Sequence, residues 1–130
     1  MKNITVLIDT NIFIDVLQDR IPFTDNSQAV IGLVTQKKIK GAVAAHSITN
    51  LWYILRKTHS DEERRNYILS LFEIFDVISI DKNRLVAALE NSNFKDFEDC
   101  LQDECACAIN ADYIITRNAK DFESSMVKAL

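Results

Sequence analysis

The sequence predicts an α/β fold in which a parallel sheet of four to five strands is covered by helices on both faces. Three observations carry this. Short apolar runs at residues 6–8, 42–45, 77–80 and 113–115 alternate along the chain with longer stretches of helical periodicity. Apart from Ser79 the runs are apolar, as strands buried on both faces of a parallel sheet are. The chain also has only 2 Gly and 1 Pro in 130 residues, which excludes a loop-rich or disordered chain.

Each element has a local reason. Val6-Leu7-Ile8 makes the first strand, and Asp9-Thr10-Asn11 follows it at once. Residues 12–17 suit a short helix capped at Thr10 or Asn11. Pro22 marks a turn, and a second helix is expected over residues 25–37, with Ala29, Val30, Leu33 and Val34 on its apolar face. Gly41 stops the lysine-rich stretch before the second strand, and Ser47 is read as the cap of a third helix carrying Ile48, Leu51, Trp52 and Leu55. Ser60 with Glu63 is a capping box, opening a helix with Tyr67, Ile68, Leu71, Phe72 and Phe75 on one face. After the third strand Asp81 caps another helix, and Asn91-Ser92-Asn93 is a loop. The helix over residues 96–110 turns Phe97, Cys100, Leu101, Cys105 and Ala108 to the core, and Asp96, Asp99 and Asp103 to another side. The fourth strand ends in Thr116-Arg117-Asn118, and Met126-Val127 is a marginal fifth strand.

Bulk properties narrow the function. With 48% hydrophobic residues the chain can bury a core, and its length suits one domain. No apolar run approaches the roughly 20 residues of a membrane span. Met1-Lys2-Asn3 leads straight into the first strand, leaving no room for a signal peptide. Cys100, Cys105 and Cys107 are odd in number and lack a nearby His, so they read as packing residues of a cytoplasmic protein. A net charge of −4 argues against a stable, non-specific DNA binder. His46 and His59 have no motif spacing and read as surface or structural residues.

The acids carry the functional signal. In a parallel sheet all strand C-termini share one edge, where ligands bind. Asp9 follows the first strand there; Thr116, Asn118 and Asp121 follow the fourth. Asp99 lies at the start of an antiparallel helix, whose N-terminal end reaches the same edge. Like charges this close raise one another's pKa unless a cation intervenes, and an oxygen-only set suits Mg²⁺ or Mn²⁺. Such a site can hydrolyse a phosphodiester with metal assistance. The alternative from pattern alone is that these acids are helix caps and surface charges, since Asp9 and Asp96 both precede helices.

Leu7-Ile8-Asp9-Thr10-Asn11-Ile12, Asp96-Phe97-Glu98-Asp99, Ile115-Thr116-Arg117-Asn118 and Lys120-Asp121-Phe122 together resemble the PIN domain family. The helix after the second strand, Ile48-Thr49-Asn50-Leu51-Trp52-Tyr53, fits one branch of it. The resemblance spans nearly the whole chain, so that residues 1–130 read as a single PIN domain. It implies a three-layer α/β/α sandwich, often homodimeric, with Mg²⁺- or Mn²⁺-dependent ribonuclease activity on RNA. It also implies kinship with VapC-type toxins, whose partner is an antitoxin protein. Carried over by position, Asp9, Asp99 and Asp121 are the catalytic, metal-binding acids. Asn11, Asn50, Asp96, Glu98, Thr116 and Asn118 line the cleft or assist. Two positions depart from the pattern, Trp52 for a Glu and Asn118 for an Asp, and these leave open a catalytically weakened module that binds protein or RNA.

Overall fold

Alternate residues of the first strand point to opposite faces of the sheet, and both faces are covered. In the computed structural model, which describes residues 3–130, Val6 and Ile8 pack with Ile12, Phe13, Val43, Leu51, Leu55 and Phe75 in one core. Leu7 joins Ala42, Ala44, Ile114, Cys105, Ala106 and Phe122 in another. Met1 and Lys2, expected to lead into the first strand, lie outside the described residues.

Strands β1 (Thr5–Ile8), β2 (Lys40–Ala44), β3 (Asp76–Ile78) and β4 (Tyr113–Ile115) are all parallel, in the order β3-β2-β1-β4. Helices α1 (Thr10–Leu17), α2 (Thr24–Thr35), α3 (Ala45–Ile54) and α4 (Asp61–Phe72) contribute to the first core. Helices α5 (Lys82–Glu90) and α6 (Phe97–Ala108) pair on the opposite side through Ala88, Cys100 and Leu101. This is the α/β/α arrangement expected from the sequence. The chain proceeds outward from β1 through β2 to β3, then returns to place β4 on the other flank of β1. The reversal leaves a crevice beyond the C-terminal ends of β1 and β4, where open α/β sheets bind ligands.

Several local expectations change. The cap of α1 is Asp9, whose carboxylate accepts from the Thr10 amide; neither Thr10 nor Asn11 serves. Gly41 lies inside β2, where a Cβ would come within 2.7 Å of the Phe75 ring and 2.8 Å of Val34, so close packing explains the glycine. Ser47 is not a cap: α3 begins at Ala45 directly from the strand, which turns Ser47 inward. Leu33 and Phe72 are exposed, as are Ala29, Phe97 and Ala108, so each of these helices buries a narrower stripe than its periodicity suggests. Phe75 is buried beyond the end of α4. The chain end pairs with β4 through Lys128 and Leu130, with a bridge from Ala129 to Ile114, rather than through Met126-Val127. The Ser60–Glu63 capping box and the Asp81 cap are present as expected.

Candidate metal-binding cleft

The register that pairs Ile8 with Ile115 brings the next residues, Asp9 and Thr116, out of the sheet side by side. Thr116 Oγ1 donates to Asp9 Oδ2 at 2.8 Å, and the Asn118 amide donates to Thr116 Oγ1 at 3.1 Å. The other carboxylate oxygen, Oδ1, accepts from the Thr10 amide at 2.8 Å. Asp9 therefore caps α1 and faces the crevice with the same side chain. Being 7% exposed, it suffers desolvation that pushes its carboxyl above the usual range. The Thr116 and Thr10 donors, then the charges of His46 and Arg117, oppose that shift without cancelling it.

The first turn of α6 supplies the facing wall. Asp96 caps this helix by accepting from the Asp99 amide at 2.9 Å, and Asp99 itself lines the cleft. Burial, followed by the negative charges of Asp96, Asp9, Asp121 and Glu98, drives the Asp99 carboxyl up to about 7. Among the described residues the ion pairs are Asp61–Arg64 and Asp15–Arg117, so no lysine or arginine is paired with these acids. Asp9, Asn11, Asn50, Asp96, Glu98, Asp99, Asn118 and Asp121 line one cleft of about 260 Å³, together with Thr10, His46, Ile54 and Gln102. Thr116 is buried behind Asp9 rather than lining the cleft. A second groove of about 310 Å³ shares Asp96, Asp99 and Asp121 with the first and continues past Lys95 and Lys120.

With this geometry in place, comparison with known proteins is informative. The PIN domain matches over residues 5–120. The chain belongs to the PIN domain family. It is 26% identical over 134 residues to Ribonuclease VapC1 of Aquifex aeolicus (strain VF5), spanning all of this chain and 92% of that protein. The fold superposes on a toxin–antitoxin complex from Klebsiella pneumoniae with a TM-score of 0.71 and 19% identity, covering 96% of this chain and 95% of that one. VapBC-1 from nontypeable Haemophilus influenzae gives 0.72 and 17%, covering 98% and 97%.

Within this PIN cleft the reading of Trp52 as the residue in place of an acid does not hold. Two residues separate it from Asn50, about 200° around a helix. Asn50 enters the cleft from α3 beside His46 and Ile54, its Nδ2 donating to Glu98 Oε1 at 3.4 Å. Trp52 instead stacks under Arg64, whose carbon Cζ lies 3.8 Å from the ring centre. Two residues that belong to no motif, His46 and Gln102, also line the cleft. His46 Nε2 donates to the Glu98 carbonyl at 3.2 Å, while its Nδ1 is buried without a partner; burial lowers its pKa. Gln102, 2% exposed, donates to Ser47 Oγ at 2.7 Å and to Asp9 Oδ1 at 3.4 Å. A polar residue one turn after Asp99 was the signal available for it.

The donor set fits a hard divalent cation. It is rich in carboxylate and amide oxygens, and among the described residues none of its carboxylates is in an ion pair with a lysine or arginine. Among the described residues no three His, Cys, Asp or Glu side chains stand together as a group that could by itself hold a metal ion.

Proposed function

We propose that this PIN-domain chain is a Mg²⁺- or Mn²⁺-dependent endoribonuclease that hydrolyses RNA phosphodiester bonds as the toxin of a toxin–antitoxin pair in the cytoplasm. One observation carries the reading: Asp99 is held close to Asp9, Asp96, Asp121 and Glu98, and among the described residues no lysine or arginine forms an ion pair with any of them. A folded chain tolerates such repulsion where an external cation relieves it. When bound, a divalent ion supplies an activated water and a Lewis acid for in-line attack on phosphorus. Asp9 and Asp99 would hold it from opposite walls, with Asp121 completing the set.

The chain's own residues do the rest. Thr116 and the Thr10 amide fix the two oxygens of Asp9, so the carboxylate needs no reorientation on binding. Lys95 and Lys120 in the adjoining groove are suited to neighbouring RNA phosphates. The similarity to VapC1 and to toxin–antitoxin complexes supports an antitoxin partner. The same proposal includes a homodimer, and an apolar groove of about 480 Å³ lined by Ile48, Trp52, Ile68 and Leu69 supports a protein contact.

The test is cleavage of single-stranded RNA by the purified chain with Mn²⁺, with EDTA, and after Asp9→Asn. Both EDTA and the substitution are expected to lower the rate by about 10³-fold or more, the scale of removing a central electrostatic group. Equal cleavage in EDTA would refute the mechanism. A second reading rests on Asn50 and Asn118, amides on the cleft wall where acids would strengthen cation binding. Under it the fold binds RNA or protein without turnover, and the wild-type chain shows no saturable Mn²⁺ binding at millimolar concentration.

A further inference from the structure

Gln102 occupies a position that packing alone does not explain. It is 2% exposed, yet it belongs to the lining of the acid cleft. Its amide nitrogen reaches two partners on separate elements, Ser47 Oγ of α3 at 2.7 Å and Asp9 Oδ1 after β1 at 3.4 Å. Its amide oxygen Oε1 is buried and has no hydrogen-bond partner. Asp9 itself imposes this orientation. An ionised carboxylate only accepts, so the amide edge turned toward it must be the NH₂ group. Flipping the amide would set two oxygens against each other. The unmatched acceptor is thus a consequence of keeping Asp9 charged and fixed, and a buried acceptor without a donor is a standing cost.

The groups around the cleft leave that acceptor without a donor from the protein. That acceptor is closed to water as well, so the working edge of the side chain is its NH₂ group. We propose that Gln102 is a positioning residue of the cation site: its Nε2, held by Ser47 Oγ, locks Asp9 Oδ1 and with it the carboxylate that would hold a divalent cation. The inference deepens the cation-dependent reading above and rests on it. Ser47 completes the device from behind, since its hydroxyl oxygen holds the amide that holds Asp9. A support of this kind beneath a metal ligand commonly changes metal affinity by about 10–100-fold when removed.

The experiment is calorimetric titration with Mn²⁺ alone, without RNA, paired with thermal unfolding in EDTA. The proteins are wild type, Gln102→Met and Ser47→Ala. Methionine preserves the volume while removing both the donor and the orphan acceptor. Gln102→Met is expected to bind Mn²⁺ at least about 10-fold more weakly, with Tm in EDTA within about 2 °C of wild type. Ser47→Ala, which keeps the amide but loosens it, is expected to weaken Mn²⁺ binding by about 3-fold. A purely structural Gln102 gives the opposite split, a lowered Tm with unchanged Mn²⁺ affinity in both variants, and that overturns the inference while leaving the cation site intact. Absence of Mn²⁺ binding by the wild-type chain overturns the cation-dependent reading and this inference together.

Discussion

Asp99 and Asp103 stand one turn apart on α6, and the same helix treats them in opposite ways. Asp103 is 5% exposed and fully employed: both its oxygens accept from the Met126 amide at 3.1 Å, and Oδ1 also accepts from the Val127 amide at 3.2 Å. Those contacts anchor the chain end, which pairs with β4 and so backs the strand that delivers Thr116 to Asp9. Asp99 has other carboxylates for neighbours and is pushed up to about 7, chiefly by burial. Asp15 resembles Asp103 in kind. It is fully buried on α1, accepts from Arg117 Nη1 at 2.9 Å and from Ser27 Oγ at 3.4 Å, and Arg117 packs over Phe23. Asp103 and Asp15 are matched by donors from the chain, whereas Asp99 is left among other carboxylates.

That contrast can be broken at either end. The largest stability effect belongs to Asp15→Asn, which strands the Arg117 guanidinium; removing one partner of a buried pair costs about 3–5 kcal/mol. Denaturant unfolding should register that loss, with Mn²⁺ affinity unchanged wherever the variant remains folded. Asp103→Ala comes next, at about 1–3 kcal/mol for the backbone donors it abandons. Hydrogen exchange at the Met126 and Val127 amides should accelerate in that variant, with β1 protection retained. If Asp103→Ala instead weakened Mn²⁺ binding as strongly as Asp9→Asn, Asp103 would belong with the cleft acids and the contrast would fail.

The alternation of strands and helices, the parallel sheet and the edge at which the acids meet were legible in the sequence because they follow from period and chain direction. Asp9, Asp99 and Asp121 each sit just past a strand or at the start of a returning helix, so a parallel sheet sends them to one place. What escaped depended on helix phase. Reading Ser47 as a cap started α3 three residues late; β2 in fact passes into α3 at Ala45 without a side-chain cap. With that start displaced, Ser47 looked like a terminus rather than a buried partner of Gln102. Trp52 stands out by motif spacing, although α3 turns His46, Asn50 and Ile54, and not Trp52, into the cleft. Gln102 carries no charge and belongs to no motif, and its role exists only in its contacts with Asp9 and Ser47. Asp103 could not be told from Asp99 by spacing, since the donors that separate them come from the far end of the chain.

The most direct measurement compares thermal unfolding of the wild-type chain and Asp99→Asn at pH 5 and pH 8, each in EDTA and in Mn²⁺. With its carboxyl raised from 3.8 to about 7 in the folded state, Asp99 keeps a proton that the unfolded chain has already released. Its contribution to stability is therefore present at low pH and is lost as pH rises through that window. The predicted result is that Asp99→Asn melts above wild type at pH 8 in EDTA, that the gap narrows at pH 5, and that Mn²⁺ raises the wild-type Tm at pH 8 far more than the variant's. An Asp99→Asn protein that melts below wild type at pH 8 in EDTA, or gains as much from Mn²⁺, would contradict the claim that this acid is held at the expense of folding for a cation.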